Sequence, residues 1–281
     1  MDTELARTFL AVISSGNFVK AAERLYVTQS TVSARIKTLE DQLGCRLFIR
    51  NKSQTTPTAA GRQFQKYAAS LVRTVEQARQ DVGIPRGFRT SLTVGGRFGL
   101  WDQLLLRWLQ AMRDRAPDVS IRAEIGFEKD LMQALVEGRL DVGLMYTPES
   151  RPGLTVEPLL EEILVLVSSD ARYGSDFDSR YVYVDWGPEF FAKHSAVFPD
   201  FIGPALTVSI GWLGLQHILS AGGAAYLPLR MVQHLIDDGR LHRIDGTPSF
   251  MLPAYVVYSE EADDHALSGA LEKLKRLAKA A

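Results

Sequence analysis

Residues 18–43 constrain the fold of this chain more than any other stretch, because they encode two short helices joined by a tight turn. Asn17 and Thr28 stand where the N-caps of the two helices are expected, and both residue types can satisfy free backbone amides at a helix start. In each helix, apolar residues recur every three or four positions, as one buried face requires. These residues are Phe18, Ala21, Ala22 and Leu25 in the first helix and Val32, Ile36, Leu39 and Leu43 in the second. The pattern predicts a helix-turn-helix unit.

The outer face of the second helix is polar in a way that suits a DNA groove. Short hydroxyls, an amide and basic groups can hydrogen-bond base edges and phosphates without filling the groove. The spacing alone is equally compatible with an ordinary amphipathic helix whose polar face is solvated. On the DNA-binding interpretation we expect contacts from Gln29, Ser30, Thr31, Ser33, Arg35 and, mainly to phosphates, Lys37.

The segment after this helix favours DNA binding over the solvated alternative. Gly44 ends the helix, and residues 47–50 and 55–56 predict two short strands around the polar tip 51–54. Such a wing would place Arg50 and Lys52 against phosphates. Residues 1–90 hold 14 Lys or Arg and 7 Asp or Glu, whereas the rest of the chain holds 18 and 26. A basic head on an acidic body confines DNA binding to the head.

The sequence AAERLYVTQSTVSARIKTLEDQLGCRLFIR, followed by TPTAAG, resembles the signature of LysR-type transcriptional regulators. The match runs without a gap from Met1 to about Ala69, and weaker matches extend to the C-terminus. The start MDTELARTFL, the turn LYVTQS and the string VDWGPEF resemble the HdfR-like branch of that family. The match to this branch is patchy in the second half of the chain.

The resemblance implies a mainly α-helical winged helix-turn-helix, a long linker helix and an α/β effector-binding domain. That domain would have two lobes, similar to type 2 periplasmic solute-binding proteins. We place the DNA-binding domain at residues 1–57, the linker and dimerisation helix with its hinge at 58–88, and the effector-binding domain at 89–281. Lobe 1 would take about residues 89–161 and 262–281, and lobe 2 about residues 162–261.

A long helix is predicted between the head and the body. Pro57 stops the wing, Thr58 can cap the helix, and it runs to about residue 82. Its apolar seam suits a two-helix dimer contact, with packing against its own body as the alternative. The seam consists of Ala60, Phe64, Tyr67, Leu71, Val75, Ala78 and Val82. The resemblance favours a homodimer that reads an interrupted palindrome of double-stranded DNA. It also implies a homotetramer and, for an activator, contact with RNA polymerase.

From Ser91 onward, short apolar strands alternate with helices, which predicts parallel-rich sheets with ligands at the carboxyl ends of strands. Strands are predicted at residues 92–94, 119–125, 142–146, 163–167, 181–186, 206–210, 224–227 and 255–258. Helices are predicted at residues 100–115, 129–137, 188–194, 213–220, 230–236 and 264–279. We place the two crossings between lobes near Glu161 and Glu261.

The residues after the predicted strand ends point to a ligand cleft. Gly96, Arg97 and Phe98 lead from the first strand into a helix, so that free amides and Arg97 could hold an anion. Taken alone, each of these residues is better explained without a ligand, Arg97 as a solvated side chain and each aromatic residue as part of the core. Their joint placement favours a small, anionic and partly aromatic effector. The other cleft residues are Gly126, Phe127, Tyr146 and Thr147 from lobe 1 and Trp186, Ser209 and Trp212 from lobe 2.

Other classes of protein fit the sequence less well. No metal spacing among the five histidines, no nucleophile elbow and no phosphate loop is present, so we expect no enzyme, no cofactor and no metal. The chain has no apolar run of 18 residues and no signal peptide, which argues against a membrane partner and against an exported solute-binding protein. The single cysteine, Cys45, fits a reducing cytoplasm, and its apolar context predicts a small buried side chain.

These observations predict a cytoplasmic LysR-type regulator that binds DNA and responds to a small effector between two lobes. The alternative that the sequence leaves open is a LysR-type regulator without an effector, acting constitutively or through a protein partner.

Overall fold

A computed structural model describes the chain except for residues 1, 51–54, 85–86, 175–176, 202, 261–264 and 280–281. Its N-terminal head contains helix α1 (Thr3–Ser15) and the two helices that the apolar spacing predicted, α2 (Phe18–Leu25) and α3 (Gln29–Leu43). The predicted caps are confirmed: the side chain of Asn17 accepts a hydrogen bond from the Val19 amide at 2.7 Å. The Thr28 hydroxyl accepts one from the Thr31 amide at 3.2 Å.

The wing follows α3 as two antiparallel strands, β1 (Phe48–Arg50) and β2 (Thr55–Pro57), with Ile49 opposite Thr56. It is attached to the helices by aromatic packing, because the ring of Phe9 lies 5.2 Å from that of Phe48 and 5.0 Å from that of Phe64. The wing tip, including Lys52, lies outside the described residues, and so does the side chain of Arg50.

The linker helix α4 (Ala59–Val82) uses part of its apolar seam within its own head. A Cβ at Gly61 would lie 2.2 Å from the backbone oxygen of Leu47, so only glycine lets the helix start this close to the wing. Phe64 is buried in the head core, together with Ala68, Ala69 and Val72. Tyr67 is 60% exposed and Val82 is 91% exposed, which leaves an uncovered remainder of the seam.

The body is built on strands in the order β10-β6-β11-β5-β3-β4, with β9 also paired to β6. Strands β3 (Thr90–Gly96), β4 (Val119–Ile125) and β5 (Val142–Met145) are parallel, as the alternation of strands and helices predicted. The other strands are β6 (Leu154–Ser168), β7 (Val182–Val184), β8 (Leu206–Val208), β9 (Ala224–Pro228), β10 (His242–Arg243) and β11 (Phe250–Ser259). The other helices are α5 (Phe98–Leu100), α6 (Leu106–Arg115), α7 (Glu128–Val136), α8 (Pro188–Val197), α9 (Gly211–Ala221), α10 (Leu229–Asp237) and α11 (His265–Ala278).

Two long strands connect the lobes. β11 runs antiparallel to β6 over the whole length of β11, with Glu161, near the first predicted crossing, opposite Pro253. The register shifts between Ala254 and Tyr255, where β11 begins to pair with β5 of the first lobe. The sequence analysis placed the second crossing near Glu261, which lies outside the described residues. Local patterning had indicated only the ends of these strands, because a strand that passes from one core to another changes its buried face along its length.

The helix predicted over residues 100–115 is interrupted. After α5, residues Trp101–Leu105 form a π-helical turn in which Asp102 and Gln103 have non-helical backbone angles, and α6 begins only at Leu106. Gln103 has a φ of 62°. The physical reason is a long-range contact, because the backbone oxygens of Gly99 and Asp102 accept hydrogen bonds from Arg230 at 2.9 Å and 2.5 Å.

In the described part of the chain, every helix is too short or too polar to cross a membrane.

Candidate nucleic-acid interface and interlobe cleft

The N-terminal half of α3 presents a polar surface. Gln29, Ser30 and Lys37 are exposed, and Thr31 and Ser33 are half-buried on the same helix. The Thr28 hydroxyl lies 2.7 Å from that of Ser30 and 2.8 Å from that of Thr31, which orders these side chains around the helix start. Since the start of a helix also carries partial positive charge, this surface can meet both base edges and phosphates.

Arg35 does not belong to this polar surface. Its guanidinium forms an ion pair with Glu4 at 3.2 Å and a long hydrogen bond to the Thr8 hydroxyl at 3.4 Å, both on α1. The arginine therefore connects α3 to α1, and a DNA contact would require it to leave these partners. Helical spacing did not reveal this, because the partners come from 27 to 31 residues earlier in the chain.

A buried carboxylate holds the wing against α3. Glu40 is 9% exposed, and its carboxylate accepts hydrogen bonds from the amides of Leu47 at 2.7 Å and Phe48 at 3.3 Å. The wing start is thus fixed relative to the polar face of α3, so that both can meet one duplex. Sequence pattern does not reveal this role of Glu40, since a glutamate in an amphipathic helix is normally solvated.

An open groove of about 890 Å³ runs beside the outer face of α3, and Ser33 and Lys37 line it. Cys45 also lines this groove and is exposed, so the expectation of a buried cysteine is wrong. The left-handed turn at Gly44, with a φ of 67°, redirects the chain and turns the Cys45 side chain outward.

Tyr26 is a feature of this surface that the sequence analysis did not predict. It forms the turn between α2 and α3 with a φ of 54° and is 96% exposed. A left-handed backbone costs a residue with a Cβ about 1–2 kcal/mol, and this side chain gains no burial in return. A glycine would form the same turn without that strain.

The cleft between the lobes contains a cavity of about 180 Å³. Six of the ten predicted effector residues line it: Arg97, Phe98, Gly126, Phe127, Tyr146 and Trp186. The sequence analysis missed five further lining residues: Gly99, Ile125, Asp130, Ile210 and Gly211. Two of these are glycines at helix starts, where a Cβ would meet the Tyr146 hydroxyl at 3.0 Å or the Trp186 ring at 2.4 Å.

The other four predicted effector residues do not line this cavity. The backbone oxygen of Ser209 accepts a hydrogen bond from Arg97 at 3.3 Å, and the ring of Trp212 lies 5.8 Å from that of Phe98. A Cβ at Gly96 would meet Leu105 and Trp101, so this glycine serves close packing. Thr147 lines a different cavity, of about 280 Å³, between the head and the body.

Arg97 is already paired inside the cleft. Its guanidinium lies 3.3 Å from the carboxylate of Glu128 and 4.5 Å from the centroid of the Phe127 ring. These contacts hold a lobe 1 arginine against the lobe 2 backbone at Ser209. The expectation of an anionic effector rested on a free cation here, and the ion pair with Glu128 neutralises that cation.

Tyr146 and Trp186 form the inner wall of the cavity. Their rings meet edge to face with centroids 6.0 Å apart. The indole N–H of Trp186 donates to the backbone oxygen of Tyr226 at 3.0 Å. By contrast, the buried Tyr146 hydroxyl has no hydrogen-bond partner among the described residues. Burial raises the pKa of this hydroxyl, with the Glu162 carboxylate acting in the same direction.

A buried ion pair next to the cavity joins the lobes. Arg230, on α10, donates to the carboxylate of Glu162, which is 2% exposed, and also to the Gly99 and Asp102 backbone oxygens of lobe 1. Sequence pattern does not reveal this pair, because 68 residues separate the two side chains and no local pattern relates them.

Comparisons with known proteins agree with this architecture. Residues 3–62 match the family model "Bacterial regulatory helix-turn-helix protein, lysR family", and residues 85–173 match "LysR substrate binding domain". The HTH-type transcriptional regulator HdfR of Escherichia fergusonii is 31% identical over 280 residues, which cover 99% of both chains.

Solved structures show the same fold over the whole chain. Full-length LysG from Corynebacterium glutamicum, with bound effector Arg, superposes with a TM-score of 0.61 at 16% identity, covering 100% of this chain and 99% of that one. Vibrio fischeri DarR in complex with DNA superposes with a TM-score of 0.56 at 21% identity, covering 99% of each chain.

Proposed function

Since the chain belongs to the LysR family of DNA-binding transcriptional regulators, we propose that it binds interrupted palindromic promoter sites and is gated by a small effector in the interlobe cleft. The observation that carries the first part is the polar N-terminal half of α3, held in register with the wing by buried Glu40. Gln29, Ser30, Thr31 and Ser33 are the proposed groove residues. Lys37, Arg50 and Lys52 are the proposed phosphate contacts.

Dimerisation would use the uncovered part of the linker helix. Tyr67 and Val82 expose apolar surface on α4 that the head of the same chain leaves open. Pairing two such helices about a twofold axis would set two heads at a fixed spacing and so define a palindrome. Body contacts would then join two dimers into a tetramer, and an activator would contact RNA polymerase in the cytoplasm.

Helix α7 offers a physical route from the cleft to the head. Its first residue, Glu128, holds Arg97 in the cleft, and its last residue, Val136, packs against the apolar core of the head. Just beyond it, a Cβ at Gly138 would lie 2.7 Å from the Cα of Arg73 on α4, so this turn and the linker helix are in tight contact. An effector that moves α7 would therefore shift the head, provided that its affinity differs between the two arrangements.

The test of this function is a footprint of the purified protein on its own promoter region at two salt concentrations. We expect protection of an interrupted palindrome that weakens steeply with salt, because phosphate contacts release counterions. A folded, oligomeric protein that protects no site there or elsewhere in the genome would contradict the proposal.

Two substitutions on α3 should separate base reading from phosphate contact. Ser33→Ala should reduce discrimination between operator and random DNA by about 1–3 kcal/mol, because a hydroxyl that reads a base edge is lost. Lys37→Ala should weaken binding to both DNAs alike and lower the salt slope by about one. Fluorescence anisotropy on both DNAs over a salt series would measure both effects.

Thr38→Ala is the matched control on the same helix. Its exposed hydroxyl donates to the backbone oxygen of Ala34 at 3.0 Å and is thereby occupied within the helix. We expect unchanged discrimination for this variant. If Ser33→Ala behaved in the same way, Ser33 would not read a base.

A further inference from the structure

The cleft contains a buried polar group that no described residue of the chain satisfies. Tyr146 is 3% exposed, its hydroxyl has no partner among the described residues, and it lines the cavity between the lobes. Because burial raises the pKa of this hydroxyl, it stays protonated at physiological pH and can donate a hydrogen bond. An unsatisfied buried donor favours any ligand that brings an acceptor to it.

The charges around the cavity argue against a carboxylate in that role. Among the described side chains that line the cavity, only Arg97 is cationic, and Glu128 already neutralises it. The Asp130 carboxylate also lines the cavity, so the lining and its ion-pair partner together carry net negative charge. An anion would have to displace Glu128 from Arg97 and lie near Asp130, and both steps oppose its binding.

The shape of the cavity selects for a flat apolar body. Phe98, Phe127, Tyr146 and Trp186 supply ring surfaces, and Ile125 and Ile210 close the remaining sides. The Trp186 N–H already donates to the backbone oxygen of Tyr226. Among the described aromatic side chains of the cavity, the Tyr146 hydroxyl is therefore the donor that remains available to a ligand. A volume of about 180 Å³ admits one substituted ring rather than an extended chain.

We propose that the effector of this cleft is an uncharged molecule with one aromatic ring and one acceptor group, which accepts a hydrogen bond from the Tyr146 hydroxyl. The inference rests on the proposed gating of the cleft and names the chemical class that enters it. It also explains why glycine stands at position 99: a Cβ there would lie 3.0 Å from the Tyr146 hydroxyl, at the place where the ligand acceptor is needed.

Benzamide and benzoate test this class, because they share one shape and differ in charge. We expect benzamide to bind the full-length protein without DNA, measured by calorimetry and by a concentration-dependent rise in Tm, and to bind at least about tenfold more tightly than benzoate at equal ionic strength. Benzoate binding as tightly as benzamide, or neither probe binding, would overturn the proposal. If neither probe bound, a regulator without an effector would be favoured.

Tyr146→Phe tests the hydrogen bond itself. Since the hydroxyl has no partner among the residues that the structure describes, this variant should fold with an unchanged or higher Tm and lose roughly tenfold in benzamide affinity. Tyr183→Phe is the matched control, because that buried hydroxyl also has no partner among the described residues and lines a different cavity. Equal benzamide affinity in Tyr146→Phe and the parent would overturn the assignment of Tyr146.

Operator binding is measured separately on the same preparations. A protein that binds its palindrome but not benzamide would refute this ligand class and leave the regulator in place. Benzamide binding without any operator would refute the proposed function and leave the ligand class in place.

Discussion

Replacement of Arg230 by methionine should lower the free energy of unfolding by about 3–5 kcal/mol, because it leaves a carboxylate buried without its counterion. Glu162 is 2% exposed, and Arg230 is the cation that pairs with it. The same guanidinium also donates to the backbone oxygens of Gly99 and Asp102, which would lose their partner. The substitution therefore removes the polar connection between α10 and the interrupted helix of lobe 1.

Urea unfolding at pH 7, followed by circular dichroism, would measure this loss. Arg243→Met is the control, since Arg243 is exposed and donates to Ser249 at 3.3 Å, and it should change stability by no more than about 0.5 kcal/mol. The double variant Arg230→Met with Glu162→Leu should recover part of the loss, because it removes the unpaired charge. A loss as small as that of the control would show that water solvates Glu162 in the folded protein.

The second large effect is a loss of stability in mild acid caused by His194. This histidine is 1% exposed, and its Nε2 lies 3.0 Å from the Tyr181 hydroxyl. Burial lowers the pKa of His194 to about 4, from an ordinary value of about 6.5. The rings that surround it are those of Phe177, Tyr181, Tyr183, Phe190, Phe198, Phe201, Tyr226 and Phe250.

The pKa of His194 is lower in the folded state than in the unfolded state. Between pH 6.5 and 4, the unfolded chain therefore binds a proton at this histidine that the folded chain does not bind. His194 should therefore contribute a fall in unfolding free energy of about 1.4 kcal/mol per pH unit in that window, and about 3 kcal/mol in all. Above pH 7 its contribution should be constant, since the imidazole is then neutral in both states.

Chemical unfolding at pH values from 4 to 8 would measure this linkage as a difference between variants. His194→Phe should flatten the curve over the window, whereas His234→Asn, on an exposed face of α10, should leave it unchanged. The difference between parent and variant isolates His194 from carboxylates that titrate in the same range. Parallel curves for the parent and His194→Phe would mean that the folded protein protonates this histidine normally.

Much of the fold was predictable because its signals are local. The caps at Asn17 and Thr28, the apolar spacing of α2 and α3 and the parallel strands β3, β4 and β5 all follow from patterns within a few residues. The failures occur where distant contacts override those patterns. The helix predicted over residues 100–115 is interrupted because Arg230 binds the backbone oxygens of Gly99 and Asp102. Cys45 is an exception, since its exposure has a local cause: the left-handed turn at the adjacent Gly44 outweighs its apolar sequence context.

The residues of the candidate sites were likewise predictable where their signal is local and unpredictable where it depends on distant contacts. Strand ends located Arg97, Phe127, Tyr146 and Trp186 in the cleft, since the carboxyl ends of neighbouring strands meet at one opening. Sequence pattern could not show that Glu128 neutralises Arg97, nor that the Tyr146 hydroxyl has no partner in the described part of the chain, because both facts depend on side chains from separate elements.

By itself, the sequence determined that this protein has a basic helix-turn-helix head, a linker helix and an acidic α/β body, because periodicity and charge are properties of contiguous residues. Only the tertiary structure decided the electrostatics of the sites. The pairing of Arg35 with Glu4, of Arg97 with Glu128 and of Arg230 with Glu162 depends on which distant side chains the fold brings together. For Glu162, which is buried, an unpaired charge would also be costly.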